Sequence, residues 1–211
     1  MDHPIINALQ WRYAVKEFDA AKKVSEDDIR LILESGRLAP SSFGVEAWKF
    51  LVIQNSALRD SLRKVAYDQT KVTDASHLIL ITRRTDVREH IVDELIVRTA
   101  AASQKDPSDL DGLRQMVQGA ISFMSDADVE NWARCQAYIP LGMMVQTAAQ
   151  LEVDSCPMEG FDKKAVDDLL GLASKQLASV AMLALGYRGS DSAAMRPKVR
   201  RPFEEVVEVI V

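Results

Sequence analysis

From Val87 to Leu151 the hydrophobic pattern is almost wholly helical, and its last helix, starting near Asp126, is apolar on several faces: Trp132, Ile139, Met143, Met144 and Ala148. Such a helix must be buried widely, inside the domain or across a subunit contact. Pro140 removes one backbone donor from it and is expected to kink it. Short β-rich runs flank this segment. Trp48–Gln54 and His77–Arg83 read as central strands, and Ala178–Leu185 as a third. Ser25 with Asp28 resembles a capping box ahead of Ile29, Ile32 and Leu33, and that helix is expected to stop near Leu38 because of Pro40. Ser56–Val65 and Lys163–Leu170 read as helices and Asp154–Gly160 as a turn. The final run Glu205–Val211 (EVVEVIV) is β-rich and apolar, an aggregation hazard if its edge stays open. A partner subunit's sheet is the natural cover. The pattern predicts an α+β chain with few strands and several helices, forming a dimer.

The chain has 211 residues, 47% hydrophobic and 27% charged, with no repeat or Gly/Ser linker, so residues 1–211 are expected to form one domain. A chain of this size should bury about 70% of its surface on folding and keep ~9,800 Å² exposed. No apolar stretch approaches the ~18 residues of a membrane span, and the opening Met-Asp-His-Pro lacks the features of a signal peptide. Cys135 and Cys156 are not CxxC-spaced and His3, His77 and His90 are scattered, so reduced thiols, a cytoplasmic location and no metal are expected. The formal net charge of −5 argues against general nucleic-acid binding.

Against that acidic background one segment is basic. Arg188 to Phe203 holds five cations (Arg188, Arg196, Lys198, Arg200, Arg201) and one anion, Asp191. Prolines near each end stiffen Arg196–Pro202, and an extended backbone there would project Lys198 and Arg200 to one side. A fork and a point charge so placed suit a phosphate, although by itself the run reads first as a solvated basic loop. In Trp11–Phe18 an extended backbone would put Arg12, Ala14 and Lys16 on one face and Tyr13 and Val15 on the other. Spacing alone favours an amphipathic edge strand there. Two turn-rich loops complete the candidates: Ala39–Gly44 (APSSFG), with hydroxyls and exposed N–H groups, and Pro157–Gly160 (PMEG), where a glycine permits close approach. GxGxxG, GxxxxGK[ST] and GxSxG motifs are absent.

In this order and spacing, these segments resemble the FMN-dependent nitroreductase family, above all the oxygen-insensitive bacterial NAD(P)H nitroreductases. The resemblance runs through Arg12–Lys16 with Phe18-Asp19, Ala39–Ser42 followed by Trp48, Lys71 with Asp74–His77, Gln136 with Tyr138, Pro157–Phe161, Leu185–Tyr187 and Lys198–Arg200. It implies an intertwined homodimer with a mixed or antiparallel central sheet surrounded by helices. The C-terminal strand would join the partner's sheet, and FMN would lie at the interface. It further implies that Arg12, Lys198 and Arg200 hold the FMN phosphate and that Lys16, with Lys71, faces the flavin pyrimidine. There a cation stabilises the charge formed on reduction. Tyr13, Ala14, Gln136 and Met158 belong to the implied cofactor set. Glu159 and Gly160 resemble the turn whose N–H reaches flavin N5, so that Lys16 and Glu159 are the implied catalytic residues. Pro40, Ser41, Ser42 and Gly44 would cover the flavin from the other subunit.

Some positions depart from the family pattern. Gly44, Glu46 and Ala47 stand where relatives commonly have an Asn, a Gln and a Pro, Ala14 replaces a frequent Ser, and Asp68 replaces a frequent Asn. A carboxylate at Asp68 can accept from flavin N3–H but cannot donate to O2. Gln69 is expected to substitute for it, or Lys71 to neutralise it. Phe43 is bulkier than usual and is expected to line the substrate slot. The implied reaction is ping-pong: NADH or NADPH delivers two electrons, then a nitroaromatic, quinone or similar flat acceptor takes them. Divergent flavin chemistry such as dehalogenation, non-catalytic FMN binding, and a nucleic-acid module using the basic segment are the alternatives.

Overall fold

The computed structural model describes residues 2–211. Four strands form one sheet in the order β1 (Trp48–Ile53), β2 (His77–Arg84), β4 (Leu177–Gly186), β3 (Asp154–Met158), with every neighbouring pair antiparallel. Among the described residues eight α-helices surround it: α1 (Pro4–Trp11), α2 (Glu26–Arg37), α3 (Ser56–Val65), α4 (Lys71–Asp74), α5 (Ile91–Ser103), α6 (Asp111–Ser122), α7 (Asp126–Gln150) and α8 (Lys163–Leu170).

Strand alternation divides the core in two. Leu78, Leu80, Met182 and Ala184 face Leu62, Ala66, Val72 and Val166 from α3, α4 and α8. Ile79, Ile81, Leu183 and Leu185 face Ile29 and Ile32 of α2 and Ala137, Leu141, Met144 and Ala148 of α7. A third cluster joins α5, α6 and the start of α7 to Val45 and Ala47. α2 begins as expected, Ser25 Oγ accepting from Asp28 N–H at 3.1 Å, and ends at Arg37 with Leu38 as its cap. Ser125 and Asp128 make a full capping box for α7. At Gly186 an added Cβ would sit 2.8 Å from the Phe18 ring and 3.1 Å from Ser76 N, so only glycine lets this strand end approach that turn.

Several expectations are corrected. β1 is an edge strand, because strand order is decided by tertiary packing that composition does not record. Asp154–Met158 is a strand and not a turn: β4 supplies its pairing, and Pro157 is tolerated at the side of the sheet. Trp11–Phe18 is no strand and makes only two isolated bridges, Ala14 to Ser155 and Phe18 to Arg188. Within the single chain residues 206–211 lie exposed and form no strand, and their expected pairing is with a second copy. The short helices α1 and α4 had not been expected. The chain exposes 12128 Å², well above the ~9,800 Å² of a compact monomer of this size. The extended segment from Arg196 onward is part of that excess.

Candidate functional site

Arg12, Tyr13, Ala14, Lys16, Lys198 and Arg200 line one cavity of about 470 Å³, so the two basic segments, remote in sequence, do converge. Helix α1 ends at Trp11, which sends Arg12 inward. Arg12 Nε is buried without a hydrogen-bond partner. Burial, then the charge of Arg200, holds the Arg12 guanidinium below its ordinary range. Lys198 Nζ donates to the carbonyls of Leu9 (2.8 Å) and Arg12, the exposed C-terminal carbonyls of α1. Burial followed by Arg12 and Arg200 lowers its pKa too. Lys198 is therefore less free than a bare clamp, with one of its three N–H donors left for a ligand. Arg200 donates to the carbonyl of Val199 and is exposed. Three crowded cations with an orphaned guanidinium N–H fit an anionic group such as a phosphate monoester.

The segment is held in place by two acids. Arg188 forms a fork with Asp154 (2.6 and 3.0 Å) and lies 4.4 Å from the Trp11 ring centroid and 4.8 Å from that of Tyr13. Asp191 accepts from Tyr13 Oη (3.0 Å), Lys16 N (2.7 Å) and Ala193 N (2.8 Å). Burial followed by that hydrogen bond pushes Tyr13 up to about 12. Val15 N donates to Ser155 O, and the parallel Ala14–Ser155 bridge makes the segment run alongside β3. Lys16, exposed, thus lies toward the Met158 end of β3.

That end carries Glu159 and Gly160, both exposed. Gln69 Nε2 donates to Gly160 O (2.7 Å) and Ala66 O (2.9 Å), binding the loop before α4 to this turn. Asp68 pairs with Arg63 at 2.7 Å, so its charge is already partnered. Lys71 is buried at the start of α4. Buried Arg59 fixes that helix by donating to the carbonyls of Val72 (2.7 Å), Ala75 (2.5 Å) and Ser76 (3.3 Å). Glu159, Met158 and Tyr138 share a second cavity of about 430 Å³ beside α7. The Tyr138 hydroxyl, buried with no partner in hydrogen-bonding geometry, is pushed up to about 12 by burial and then by Glu159.

The remaining candidates form a separate group. Ser42 N donates to Gln136 Oε1 of α7 at 2.7 Å, which anchors the Pro40–Gly44 loop. Phe43 and Glu46 have φ of 57° and 52°, a strained conformation for a side chain. Ser41 Oγ accepts from Glu46 N (3.0 Å), and Glu46 lies 3.8 Å from Arg98 of α5. Glu46, one of the departures, is thus occupied in shaping the loop. Among the described residues no hydrogen bond, ion pair or common cavity joins Pro40–Gly44 and Gln136 to the cation cavity. The sequence reading counts Arg188 and Asp191 in the basic run without giving either a role, and passes over Arg98 and Arg59. The one signal was Asp191, the single acid in a basic run.

Comparison with known proteins follows the same lines. A model of the Nitroreductase family matches residues 9–187. A Staphylococcus aureus (strain N315) protein with the provisional name NAD(P)H nitroreductase is 39% identical, over 99% of this chain and 96% of its own length. A Bacillus subtilis protein with the same provisional name, YfkO, is 39% identical over 97% and 96%. Among solved structures, a provisionally named nitroreductase from Exiguobacterium sibiricum, in complex with FMN, superposes with a TM-score of 0.83 at 21% identity, covering 100% of this chain and 99% of the other. A nitroreductase-like protein from Streptococcus mutans gives 0.85 at 21% identity, with 98% of each chain covered. Among the described residues no helix is long and apolar enough to cross a membrane.

Proposed function

The chain belongs to the nitroreductase family, and on that premise we propose that it is a cytoplasmic FMN-dependent oxidoreductase, one domain per chain, that uses NADH or NADPH to reduce nitroaromatics, quinones or similar flat acceptors. The observation that carries this reading is the cation cavity, with Arg12 Nε buried and unpaired beside Lys198 and Arg200. Arg12, Arg200 and the free donor of Lys198 would hold the phosphate of FMN, whose isoalloxazine supplies a two-electron acceptor and donor and so divides turnover into two half-reactions.

Around that group the chain's own residues position and polarise. Lys16 would stand as the cation at the pyrimidine edge, where it favours the reduced, anionic form. Lys71 adds a buried cation from α4. The Asp68–Arg63 pair removes most of the repulsion a free carboxylate would exert. Gln69 holds the Gly160 turn and leaves its amide oxygen free to accept. Glu159, Gly160 and Met158 would present the turn to the reacting edge, with Tyr13 and Ala14 as the neighbouring wall.

A second copy completes the site in this reading. Pro40, Ser41, Ser42, Gly44 and Gln136 would cover the flavin of the partner, with Phe43 lining the acceptor slot. The dimer would bury the outer face of α7 and seat the C-terminal residues of one chain in the groove between α2 and the free edge of β1. That groove is lined by Ile29, Leu33, Phe50 and Val52 together with the charged Glu26, Arg30, Glu34 and Arg37. Its apolar walls match Val206, Val207, Val209 and Ile210, which are exposed in the single chain.

Anaerobic rapid mixing of the FMN-loaded protein with NADH and NADPH tests the assignment. Lys16→Met should slow flavin reduction by about 10-fold or more, as loss of one charge-stabilising group does. An unchanged reductive rate in that variant contradicts it.

A further inference from the structure

Two chain segments furnish the cations of the cavity, and one carboxylate joins them. Asp191 is 7% exposed, and its Oδ2 accepts from Lys16 N across 175 residues of sequence at 2.7 Å. The same oxygen accepts from Tyr13 Oη (3.0 Å) and Glu17 N (3.4 Å), while Oδ1 accepts from Ala193 N (2.8 Å). Tyr13, Lys16 and Ala193 all line the cavity, yet Asp191 itself does not.

We propose that Asp191 is the positioning residue of the phosphate cradle: its carboxylate latches the Arg12–Glu17 segment to the Ala193–Arg200 segment and so fixes the mutual placement of Arg12, Lys16, Lys198 and Arg200. This rests on the FMN reading above. Cations held close repel one another, and apart from the 3₁₀ turn Ser192–Met195 neither basic segment is part of a sheet or helix that would hold it, so the hydrogen bonds of Asp191 supply a restraint that regular elements do not. An ionised carboxylate meets four donors with its two oxygens, two of them the backbone N–H groups of Lys16 and Glu17. Arg188, forked to Asp154 and stacked on Trp11 and Tyr13, secures the same segment from the other side. Asn at this position keeps the shape but turns an NH₂ group toward N–H donors, so at least one contact becomes repulsive.

Of the four cations the latch places, Arg12, Lys198 and Arg200 serve the phosphate and Lys16 alone the ring, so its loss falls mainly on the phosphate end, a signature that general damage to the fold lacks. Riboflavin has the same ring system as FMN without the phosphate. Binding of FMN and of riboflavin to flavin-stripped protein, followed by quenching of flavin fluorescence, should show wild-type preference for FMN. In Asp191→Asn, FMN affinity should fall about 10-fold or more, the scale of a lost charge-assisted hydrogen bond, with riboflavin affinity held within about twofold. Tyr13→Phe, which deletes one donor and keeps the ring, should shift FMN in the same direction by a smaller factor, about three- to fivefold, because the carboxylate keeps its three N–H donors, and serves if Asp191→Asn fails to fold. Equal losses for FMN and riboflavin, or an FMN preference undiminished in the variants, overturn the latch. Wild-type protein that does not prefer FMN to riboflavin overturns the phosphate reading and the latch with it.

Discussion

Replacing Arg12 with Met separates a binding residue from a structural one, because the two roles move stability in opposite directions. Arg12 Nε is buried and unpaired, and the guanidinium is held down by burial and by Arg200. Methionine keeps the aliphatic packing and removes the charge. The flavin-free protein should therefore melt at the same temperature or slightly higher, since a desolvated, repelled cation has gone. FMN-loaded protein should lose stability. A charge-assisted hydrogen bond to a phosphate contributes roughly 1.5–3 kcal/mol, about 10- to 150-fold in Kd. At FMN 100 times the wild-type Kd, ligand stabilisation is about 2.7 kcal/mol, and a 100-fold weaker variant retains ~0.4 kcal/mol. The lost ~2.3 kcal/mol corresponds to roughly 5–9 °C for a domain of this size. Differential scanning fluorimetry at fixed protein concentration, with and without FMN, reads both quantities. A flavin-free melting temperature several degrees lower, with the FMN-induced rise intact, would make Arg12 a structural residue and not a phosphate ligand.

Other perturbations follow from the same geometry. Lys198 is held below the ordinary lysine range by burial, Arg12 and Arg200. FMN affinity should then fall as pH rises through its folded-state pKa, while the flavin-free protein gains stability between that pKa and the unfolded value because the unfolded chain binds more protons there. Titration by fluorescence quenching from pH 7 to 10 checks this, and Lys198→Met should flatten the response. Gly186→Ala places a methyl group 2.8 Å from Phe18 and 3.1 Å from a backbone nitrogen, so it should cost about 1–3 kcal/mol in urea unfolding. Deleting Glu208–Val211 removes exposed Val209 and Ile210. At about 1.5–3 kcal/mol for each side chain buried in a partner, the dimer should weaken at least 10-fold in sedimentation equilibrium. Phe43→Ala should change KM for bulky acceptors in steady-state assays.

Helices were legible in the sequence wherever a cap and a periodic face coincided, as at Ser25 before α2 and over Ser56–Val65 and Lys163–Leu170. β2 and β4 were legible as apolar runs because they are buried on both faces. β3 was not, for Asp-Ser-Cys-Pro has turn composition and becomes a strand only because β4 offers its edge. The edge position of β1 was equally hidden, since it depends on which strands lie together. The convergence of Arg12 with Lys198 and Arg200 showed as an excess of cations in an acidic chain and as a family resemblance. The fixture behind it did not. Asp191 binds backbone N–H groups, which every residue possesses, so nothing at Lys16 or Glu17 marks them as its partners. The state of Glu46 is a similar case: a departure from the family pattern becomes intelligible only once Arg98 of α5 stands next to it.

The most direct test of the central claim is the visible spectrum of the purified, FMN-reconstituted protein, taken before and after anaerobic addition of NADH or NADPH. The flavin spectrum should bleach with at least one nucleotide and return when a nitroaromatic or quinone is added. A protein that takes up no FMN, or bound flavin that neither nucleotide bleaches, would contradict that claim.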